Sequence, residues 1–401
     1  SPWLRPKGIG FIREKPPTFF GMHPHSPNPM TDLIPFSEHL VMDGYNYAYG
    51  ISAADLTGDG SLDLISADTI VGLYWFENDG NGNFAKHVIH EREDEWLERH
   101  AIADINGDGR PEIVIVDNIN GGLLWFEFEG DPRDRSNWSH HYITETELPG
   151  AYDLVVADFD GDGDLDVAAS SWVKGNQFAW FENRNGEWVK HVIEEGMLET
   201  RAICAADLNG NGRPDLMGTA SNSDLLVWYE NPGDPVNEPW KRYVIDNATR
   251  PIHGHFADME GDGDLDIVMA LGCFNKRDDD EPDNHQIVWY EHGGDPRRTP
   301  WQKHIICEEF PNAFEAVAAD LDGDGQTEVV ATCWGDKGAI ALFKHEGDPR
   351  GPWQMQWLKQ GWVNADQVFI ADLDGDGRAD IVASAERGSN ELRWWRNESG
   401  G

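Results

Sequence analysis

The chain has 401 residues, of which 39% are hydrophobic and 26% charged, and its formal net charge is −42. This composition is that of a globular protein, and the length suits one large all-β domain. The negative charge argues against nucleic acid as a partner, because phosphate binding needs a basic surface. The sequence has no run of about 18 apolar residues, so no membrane span is expected.

The N-terminal segment is rich in proline and includes HPHSPNP at residues 23–29. Such a composition favours irregular backbone, and residues 1–34 are therefore predicted to form an extended arm. The stretch PFSEHLVM at residues 35–42 follows and has the character of a β-strand. Residues 35–401 are predicted to form one domain.

An acidic loop between two apolar runs recurs seven times after residue 50. In VVADFDGDGDLDVAAS, residues 155–170, five aspartates fall within nine residues. The first aspartates of successive copies are 49, 54, 49, 51, 62 and 52 residues apart. Internal repeats of roughly this length indicate solenoids or propellers.

Each repeat contains four segments with the pattern of short strands. The third carries aromatics, as in LYWFEN at 73–78, and the fourth follows a turn, as in WVKHVI at 188–193. Seven such units predict an all-β, seven-bladed β-propeller with four antiparallel strands per blade. Because the seventh unit stops after its third strand, the strand at 35–42 is predicted to complete the last blade and close the ring.

The acidic loop has the pattern D-x-[DNTE]-G-[DN]-G-x-x-[DE], in which positions 1, 3, 5 and 9 supply oxygens. Flexible, oxygen-rich loops of this kind suit Ca²⁺, and the glycines permit left-handed turns. We expect the ions to stiffen the blade edges. The predicted ligands are Asp55, Thr57, Asp59 and Asp63; Asp104, Asn106, Asp108 and Glu112; Asp158, Asp160, Asp162 and Asp166; Asp207, Asn209, Asn211 and Asp215; Asp258, Glu260, Asp262 and Asp266; Asp320, Asp322, Asp324 and Glu328; Asp372, Asp374, Asp376 and Asp380.

This loop pattern, repeated over residues 36–397, resembles the FG-GAP or VCBS repeats of integrin-like propellers. Weak Ca²⁺ sites fill in the millimolar calcium outside cells, which favours a secreted or periplasmic protein, although residue 1 does not begin a secretory signal. A single propeller of this length also resembles secreted carbohydrate-active propellers, above all the L-rhamnose-α-1,4-D-glucuronate lyases.

A mixed set of polar residues is predicted at the mouth opposite the acidic loops. The innermost strand of each blade lines the channel, so positions 3 and 5 before the first aspartate face the axis and position 6 lies at the mouth. Loops after the second strand reach the same face. The predicted substrate-binding residues are Asp153, Glu315, Gln367, Asp366, Trp172, Trp334, Lys337 and Arg387.

These mouth residues differ from blade to blade, which favours one asymmetric pocket and hence an enzyme. The resemblance to the lyases implies β-elimination on a uronate-containing glycan. Its candidate catalytic residues are Arg99 and Arg201 for the carboxylate, His100, His253 and His255 as imidazoles, and Tyr49 and Tyr152 as acids. His100 lies four residues before the aspartate, so it faces away from the channel unless a bulge shifts it.

Three alternatives stay open at this point. His253 and His255 alternate on one strand and can share a metal such as Zn²⁺, with Glu315 or Cys204 as a further ligand, as in a metal-dependent sugar dehydratase. The same pocket suits a glycoside hydrolase. The third alternative is a non-catalytic, calcium-dependent lectin or adhesion propeller. The long loop at residues 272–285 is expected to be functional because long loops over a mouth often are.

Overall fold

The structure is a computed structural model that describes residues 33–273 and 285–400. The predicted arm therefore lies outside the described residues, except for its last two, and so do residues 274–284 of the long loop. One compact unit begins at Leu33. Ile34 is buried in it, and its backbone makes two hydrogen bonds to the side chain of Gln356, of 3.1 and 2.9 Å.

The described chain forms seven four-stranded antiparallel sheets, which we call the first to seventh blades in chain order. Two 3₁₀ turns lie outside them, at Arg135–Asn137 and Ser221–Ser223. The strands are β1 (Phe36–Met42), then β2 (Ala48–Ala54), β3 (Asp63–Asp68), β4 (Gly72–Asn78) and β5 (Phe84–Glu91) of the first blade; β6 (Leu97–Ala103), β7 (Glu112–Asp117), β8 (Gly122–Phe128) and β9 (Trp138–Thr144) of the second; β10 (Ala151–Ala157), β11 (Asp166–Ser171), β12 (Gln177–Arg184) and β13 (Glu187–Glu195) of the third; β14 (Thr200–Ala206), β15 (Asp215–Ala220), β16 (Leu225–Glu230) and β17 (Lys241–Asp246) of the fourth; β18 (Pro251–Ala257), β19 (Asp266–Leu271), β20 (Gln286–Glu291) and β21 (Gln302–Cys307) of the fifth; β22 (Ala313–Ala319), β23 (Glu328–Cys333), β24 (Ala339–His345) and β25 (Trp353–Gln360) of the sixth; and β26 (Ala365–Ala371), β27 (Asp380–Ala385) and β28 (Glu391–Asn397) of the seventh.

The seventh blade is completed by β1, as the sequence predicts. Its strand order is β1-β28-β27-β26, with Phe36 opposite Asn397 and antiparallel pairing along the strand. First strands of neighbouring blades lie against one another, including β26 of the seventh blade against β2 of the first. The seven blades therefore form a closed ring, and the fold prediction is confirmed.

Tryptophans of the third strands form the core between blades. Trp75, Trp180 and Trp289 are fully buried, and each stacks on the histidine opposite it on the fourth strand. That histidine also hydrogen-bonds a glutamate two residues after the tryptophan, as His87 does with Glu77 at 3.0 Å. The imidazoles on the outer strands therefore serve packing.

A β-bulge interrupts the first strand of every blade near its start. In the third blade, Ala151 pairs with Ser171 and Leu154 with Ala169, so three steps on β10 oppose two on β11. The extra residue breaks the alternation of side chains. Tyr152 and Asp153, which are consecutive, therefore both serve the axial side of the blade.

Removal of residues 35–42 is expected to lower the melting temperature by about 10 °C or more, because it exposes β28 as an unpaired edge and opens the ring. Thermal unfolding followed by circular dichroism measures this. The control is Leu40→Ala in the same strand, whose side chain is largely exposed and whose loss should leave melting nearly unchanged. A deletion variant that melts like the parent would contradict ring closure by β1.

Candidate functional site

A pocket of about 510 Å³ lies where the first strands of the blades begin. The acidic loops follow the other ends of the same strands, so the pocket and the loops are on opposite faces of the ring. Residues of all seven blades contribute to the pocket, and its lining differs from blade to blade. The lining residues are Tyr47, Tyr49, Trp96, Glu98, Asn118, Tyr152, Trp172, Glu199, Arg201, Arg250, Phe314, Trp334, Glu386 and Arg387.

Half of these lining residues are aromatic. Tyr152 lies 6.0 Å from Trp172 between ring centroids, and Tyr47 meets Trp96 edge-on at 6.4 Å. The indole of Trp334 donates a hydrogen bond to Glu386, which fixes its orientation. Aromatic walls with a few oriented polar groups are typical of small-molecule sites, and ring faces of this kind stack on sugars.

The floor of the pocket is a row of hydrogen-bonded groups. Tyr49 Oη lies 2.6 Å from Tyr152 Oη, which lies 3.2 Å from His253 Nε2. Arg201 donates to Tyr152 Oη at 3.0 Å, and Arg99 donates to Tyr49 Oη at 3.3 Å. Both tyrosines are almost fully buried and His253 is completely buried behind them. Tyr49, Tyr152 and Arg201 line the pocket, whereas His253 lies behind Tyr152.

Electrostatics fix the resting protonation of this row. Burial lowers the pKa of His253 well below its usual value, and the charges of Arg99 and Arg201 lower it further. Burial raises the pKa of Tyr152, although Arg201 and Arg99 oppose the shift. At neutral pH, Tyr152 therefore carries its proton and His253 is a neutral acceptor.

Three carboxylates and three arginines surround the row. Burial, followed by the charge of Glu386, raises the pKa of Glu98 to about 8. Among the described residues, Glu98 Oε2 has no hydrogen-bond partner. Arg250 pairs with Glu199 at 2.7 Å, and the guanidinium of Arg201 lies 5.3 Å above the ring of Trp172. At neutral pH the pocket therefore holds the uncharged carboxyl group of Glu98 beside the guanidinium groups of Arg201 and Arg250.

A second buried network lies in the channel below the floor. Arg99 makes a bidentate ion pair with Glu315, at 3.2 and 2.7 Å, and Glu315 also accepts from His255 Nε2 at 2.9 Å. Asp153 Oδ2 lies 3.9 Å from His253 Nδ1. His253 and His255 therefore bond to different partners. In the described part of the chain neither belongs to a cluster of three potential metal ligands, and the Zn²⁺ hypothesis stays a prediction.

The predicted site residues fall into three groups. The pocket is lined by Tyr49, Tyr152, Arg201, Trp172, Trp334 and Arg387. The network beneath it contains Arg99, Asp153, His253, His255 and Glu315. The structure places the other four away from the pocket: His100, Gln367, Asp366 and Lys337.

Local hydrogen bonds, or exposure to solvent, explain why these four residues do not line the pocket. His100 Nδ1 lies 3.3 Å from the carbonyl of Glu98, and burial lowers the pKa of His100 to about 4. Gln367 bonds the backbone of Ile51 and so ties the seventh blade to the first. Asp366 is buried and accepts hydrogen bonds from within its own blade, from Gln367 N and Ser384 Oγ. Lys337 is exposed.

Sequence reasoning missed one row of pocket residues. Tyr47, Trp96, Glu199 and Arg250 all lie eight positions before the first aspartate of their unit, two before the mouth position. Side chains of a strand alternate with a period of two, so the residues two positions before the mouth row should face the same side. This alternation was not extended to them because they directly precede the strands and were interpreted as loop residues.

The acidic loops are held together by the backbone as well as by charge. In the third loop, the amides of Gly161 and Gly163 donate to Asp158, at 2.7 and 3.1 Å. Asp166, at the ninth position, is fully buried and accepts from the amides of Phe159 and Asn183. Burial raises the pKa of Asp166 to about 7. This carboxylate has a structural role whether or not an ion is bound.

Four loops bring three carboxylates close enough to hold one cation. In each, the potential ligand oxygens lie within 4.8 Å of one another: Asp104, Asp108 and Glu112; Asp158, Asp160 and Asp166; Asp320, Asp322 and Glu328; Asp372, Asp374 and Asp380. Among the described residues, the first, fourth and fifth loops form no such cluster. The fourth loop has Asn209 and Asn211 in place of two carboxylates, and in the fifth loop Glu260 pairs with Arg350 at 3.0 Å.

Basic side chains enter two of these four clusters. The ammonium of Lys344 contacts Asp322, Asp324 at 2.9 Å and Glu328 at 3.1 Å. In the seventh loop, Arg396 Nε lies 2.5 Å from Asp374. Lys344 and Arg396 occupy the strand position that holds a glutamate in the first five blades, such as Glu182.

None of the helices in the two described ranges has the length and hydrophobicity that crossing a bilayer requires. No curated protein matches the chain. Many solved structures are similar in fold, and two of them are described as crystal structures of BBS1N in complex with ARL6DN. The matching chain of the mercury-soaked crystal has a TM-score of 0.57 and 10% identity, over 92% of this chain and 98% of that chain. The lead-soaked crystal gives 0.53 and 11%, over 88% and 94%.

At these identities the likeness to the solved structures shows the fold alone. The pattern of the FG-GAP-like repeat matches residues 55–115, 104–169, 158–218, 207–269 and 320–383, which together cover more than half of the sequence. The chain therefore belongs to the FG-GAP-like repeat family.

Proposed function

We propose that the mouth pocket binds an acidic carbohydrate and cleaves it by β-elimination beside a uronate carboxylate. The observation that carries this proposal is the Tyr49–Tyr152–His253 row with Arg201 at its side, on the floor of an aromatic-walled pocket. Tyrosine, imidazole and guanidinium are the groups that an elimination next to a carboxylate needs.

Substrate binding follows from the pocket lining. The uronate carboxylate pairs with Arg201, since a planar guanidinium matches a carboxylate and Arg201 is already held against Trp172 and Tyr152. The indole faces of Trp172 and Trp334 take the neighbouring sugar rings. The charge of Arg250 is partly neutralised by its ion pair with Glu199. We therefore assign the carboxylate to Arg201 and not to Arg250.

The elimination is assigned to two proton-transfer residues. Glu98, in its ionised form, removes the proton on the carbon next to the carboxylate. The electron pair forms a double bond to the next carbon as the bond from that carbon to the leaving oxygen breaks. Tyr152 donates its proton to the leaving oxygen, and the resulting phenolate is stabilised by Arg201 and Tyr49. Proton transfer from Glu98 to Tyr152 through solvent restores the resting state.

A second candidate is a binding propeller without catalysis. The floor groups of the pocket satisfy one another's hydrogen bonds, as they would in a static scaffold. The similar solved structures are described as complexes of BBS1N with ARL6DN, so a related fold serves in a protein–protein complex. In that case this chain would bind its ligand or partner unchanged. A screen of uronate glycans that detects binding but no unsaturated product would favour this candidate.

We also propose that the second and third acidic loops bind Ca²⁺, whereas Lys344 and Arg396 take the place of an ion in the sixth and seventh. In the second and third loops, the donor oxygens and their spacing fit a hard cation. In the sixth and seventh loops, the partly buried side chains of Lys344 and Arg396 already balance the charge of the carboxylates.

Tyr152→Phe is expected to lower the rate of elimination by about 10²–10⁴-fold, because it removes the proton donor to the leaving oxygen while keeping the ring. The ultraviolet absorbance of the unsaturated uronate product measures the rate. Tyr243→Phe is the control: Tyr243 stacks on Trp228 in an outer strand, and its loss should leave the rate unchanged. Equal rates for both variants and the parent would exclude Tyr152 as the acid.

The rate of elimination is expected to rise with pH and level off above about 8. Glu98 must be ionised to act as base, and because its folded-state pKa is raised to about 8, the active form is scarce below that pH. Glu98→Gln should remove both the activity and this limb of the pH profile. A rate of elimination that falls above pH 8 would contradict the assignment of Glu98 as the base.

Lys344→Met is expected to make the protein more dependent on calcium. Without Ca²⁺ its melting temperature should fall by several degrees, because the sixth-loop carboxylates lose their cation, and added Ca²⁺ should restore it. Asp160→Asn in the third loop is the counterpart and should reduce the stabilisation that Ca²⁺ gives the parent. If Ca²⁺ stabilises Lys344→Met no more than the parent, the lysine does not stand in for an ion.

A further inference from the structure

A loop from the next blade covers the outer side of almost every third strand. Arg133 of the second blade reaches Glu77 of the first, and Arg297 of the fifth reaches Glu230 of the fourth at 3.1 Å. These loops share the sequence Gly-Asp-Pro. We call this arrangement, a loop residue over the third-strand tryptophan and its glutamate, the clamp.

The sixth blade supplies the best-defined clamp. Arg350 bonds Glu291 through Nε at 3.0 Å and Nη2 at 2.7 Å, and its guanidinium lies 6.0 Å from the ring centre of Trp289. The indole of Trp289 in turn donates to the carbonyl of Pro349 at 3.2 Å. One Asp-Pro-Arg segment therefore pairs with the carboxylate of Glu291, covers the ring face of Trp289 and accepts the hydrogen bond of its indole N–H.

Other blades are covered by different means. Val236 and Trp240 pack in the cluster that contains Trp180 of the third blade, whose Glu182 pairs with Arg184. Phe84 of the first blade meets Trp394 of the seventh. The sixth blade is covered by Ile34 through its bonds to Gln356.

The second blade lacks a clamp because the third blade has almost no loop to provide one. Its third and fourth strands are joined by Asn185 and Gly186, with φ of 54° and 89°, a two-residue hairpin turn. Trp125 is consequently only partly buried, whereas Trp75 and Trp289 are fully buried.

The glutamate and histidine beside Trp125 are likewise uncovered. His141 is 46% exposed, about twice as much as its equivalents His87 and His304, at 22% and 19%. Glu127 bonds His141 and Asn106, and no arginine of the described residues pairs with it. A groove of about 700 Å³ opens here between the second and third blades, lined by Trp125, His141, Tyr142, Trp188 and Asp164 among others.

We propose that this groove binds an arginine-bearing peptide segment of a partner protein. The guanidinium lies over Trp125 and pairs with Glu127, as Arg350 does with Trp289 and Glu291. Asp164 at the groove adds negative charge to that of Glu127, which complements a basic segment. Peptide is favoured over sugar as the occupant because this chain fills equivalent surfaces with an Asp-Pro-Arg segment of its own.

The test uses a fluorescently labelled peptide with the sequence of residues 347–353, Gly-Asp-Pro-Arg-Gly-Pro-Trp, and the full chain. Saturable binding by fluorescence anisotropy is expected. A peptide with citrulline for arginine should bind about tenfold more weakly, because it keeps the shape and loses the charge-assisted hydrogen bonds. Glu127→Gln should weaken the arginine peptide to a similar extent.

Glu230→Gln is the matched control, since Glu230 is already paired with Arg297 and should not contribute to peptide binding. A second variant fills the groove from within, by replacing Asn185-Gly186 with Gly-Asp-Pro-Arg-Gly-Pro. It should abolish peptide binding, and thermal melting checks that each variant is folded. Absence of saturable binding to the parent overturns the proposal. So does equal affinity for the citrulline peptide, or equal loss in Glu127→Gln and Glu230→Gln.

Discussion

The architecture depends on one repeated contact, a buried carboxylate at the ninth position of each acidic loop. Asp166 bonds the backbone of its own loop and of the third strand, and the loop contact recurs in all seven units. A buried carboxylate must be satisfied by such donors. The five aspartates at this position also bond the backbone at the third strand and so fix the register of three strands, whereas Glu112 and Glu328 make the loop contact. An ion at the loop would add to this arrangement without creating it.

Identical backbones with different side chains make the pocket asymmetric. The bulge in the first strand turns two successive residues toward the axis, so a blade can contribute one group to the pocket and one to the channel beneath. In the third blade these are Tyr152 and Asp153. The lower layer contains the Arg99–Glu315 ion pair, and burial together with the charge of Arg99 lowers the pKa of His253. The pocket and the network in the channel beneath it thus form two layers that depend on the same β-bulge.

Periodic features were predictable from sequence, and exceptions to the period were not. The repeats predicted seven blades, and the missing last strand predicted closure by β1. Asp366 occupies the same mouth position as Tyr49 and Tyr152, yet local hydrogen bonds hold it elsewhere. The role of Lys344 required knowing that its strand position faces the adjacent acidic loop. The open groove at Trp125 could be recognised only by comparing the two-residue turn of the third blade with the longer loops at the same place in four other blades.

The separation of loops and pocket on opposite faces gives the molecule an electrical polarity. The seven acidic loops lie at one rim, while the arginines of the pocket lie at the other mouth beside Glu98, Glu199 and Glu386. Charges act over roughly 8 Å at physiological ionic strength, so the acidic rim repels an anion that comes near it and the pocket face does so less. For the acidic carbohydrate proposed above, this difference would favour approach from the pocket face.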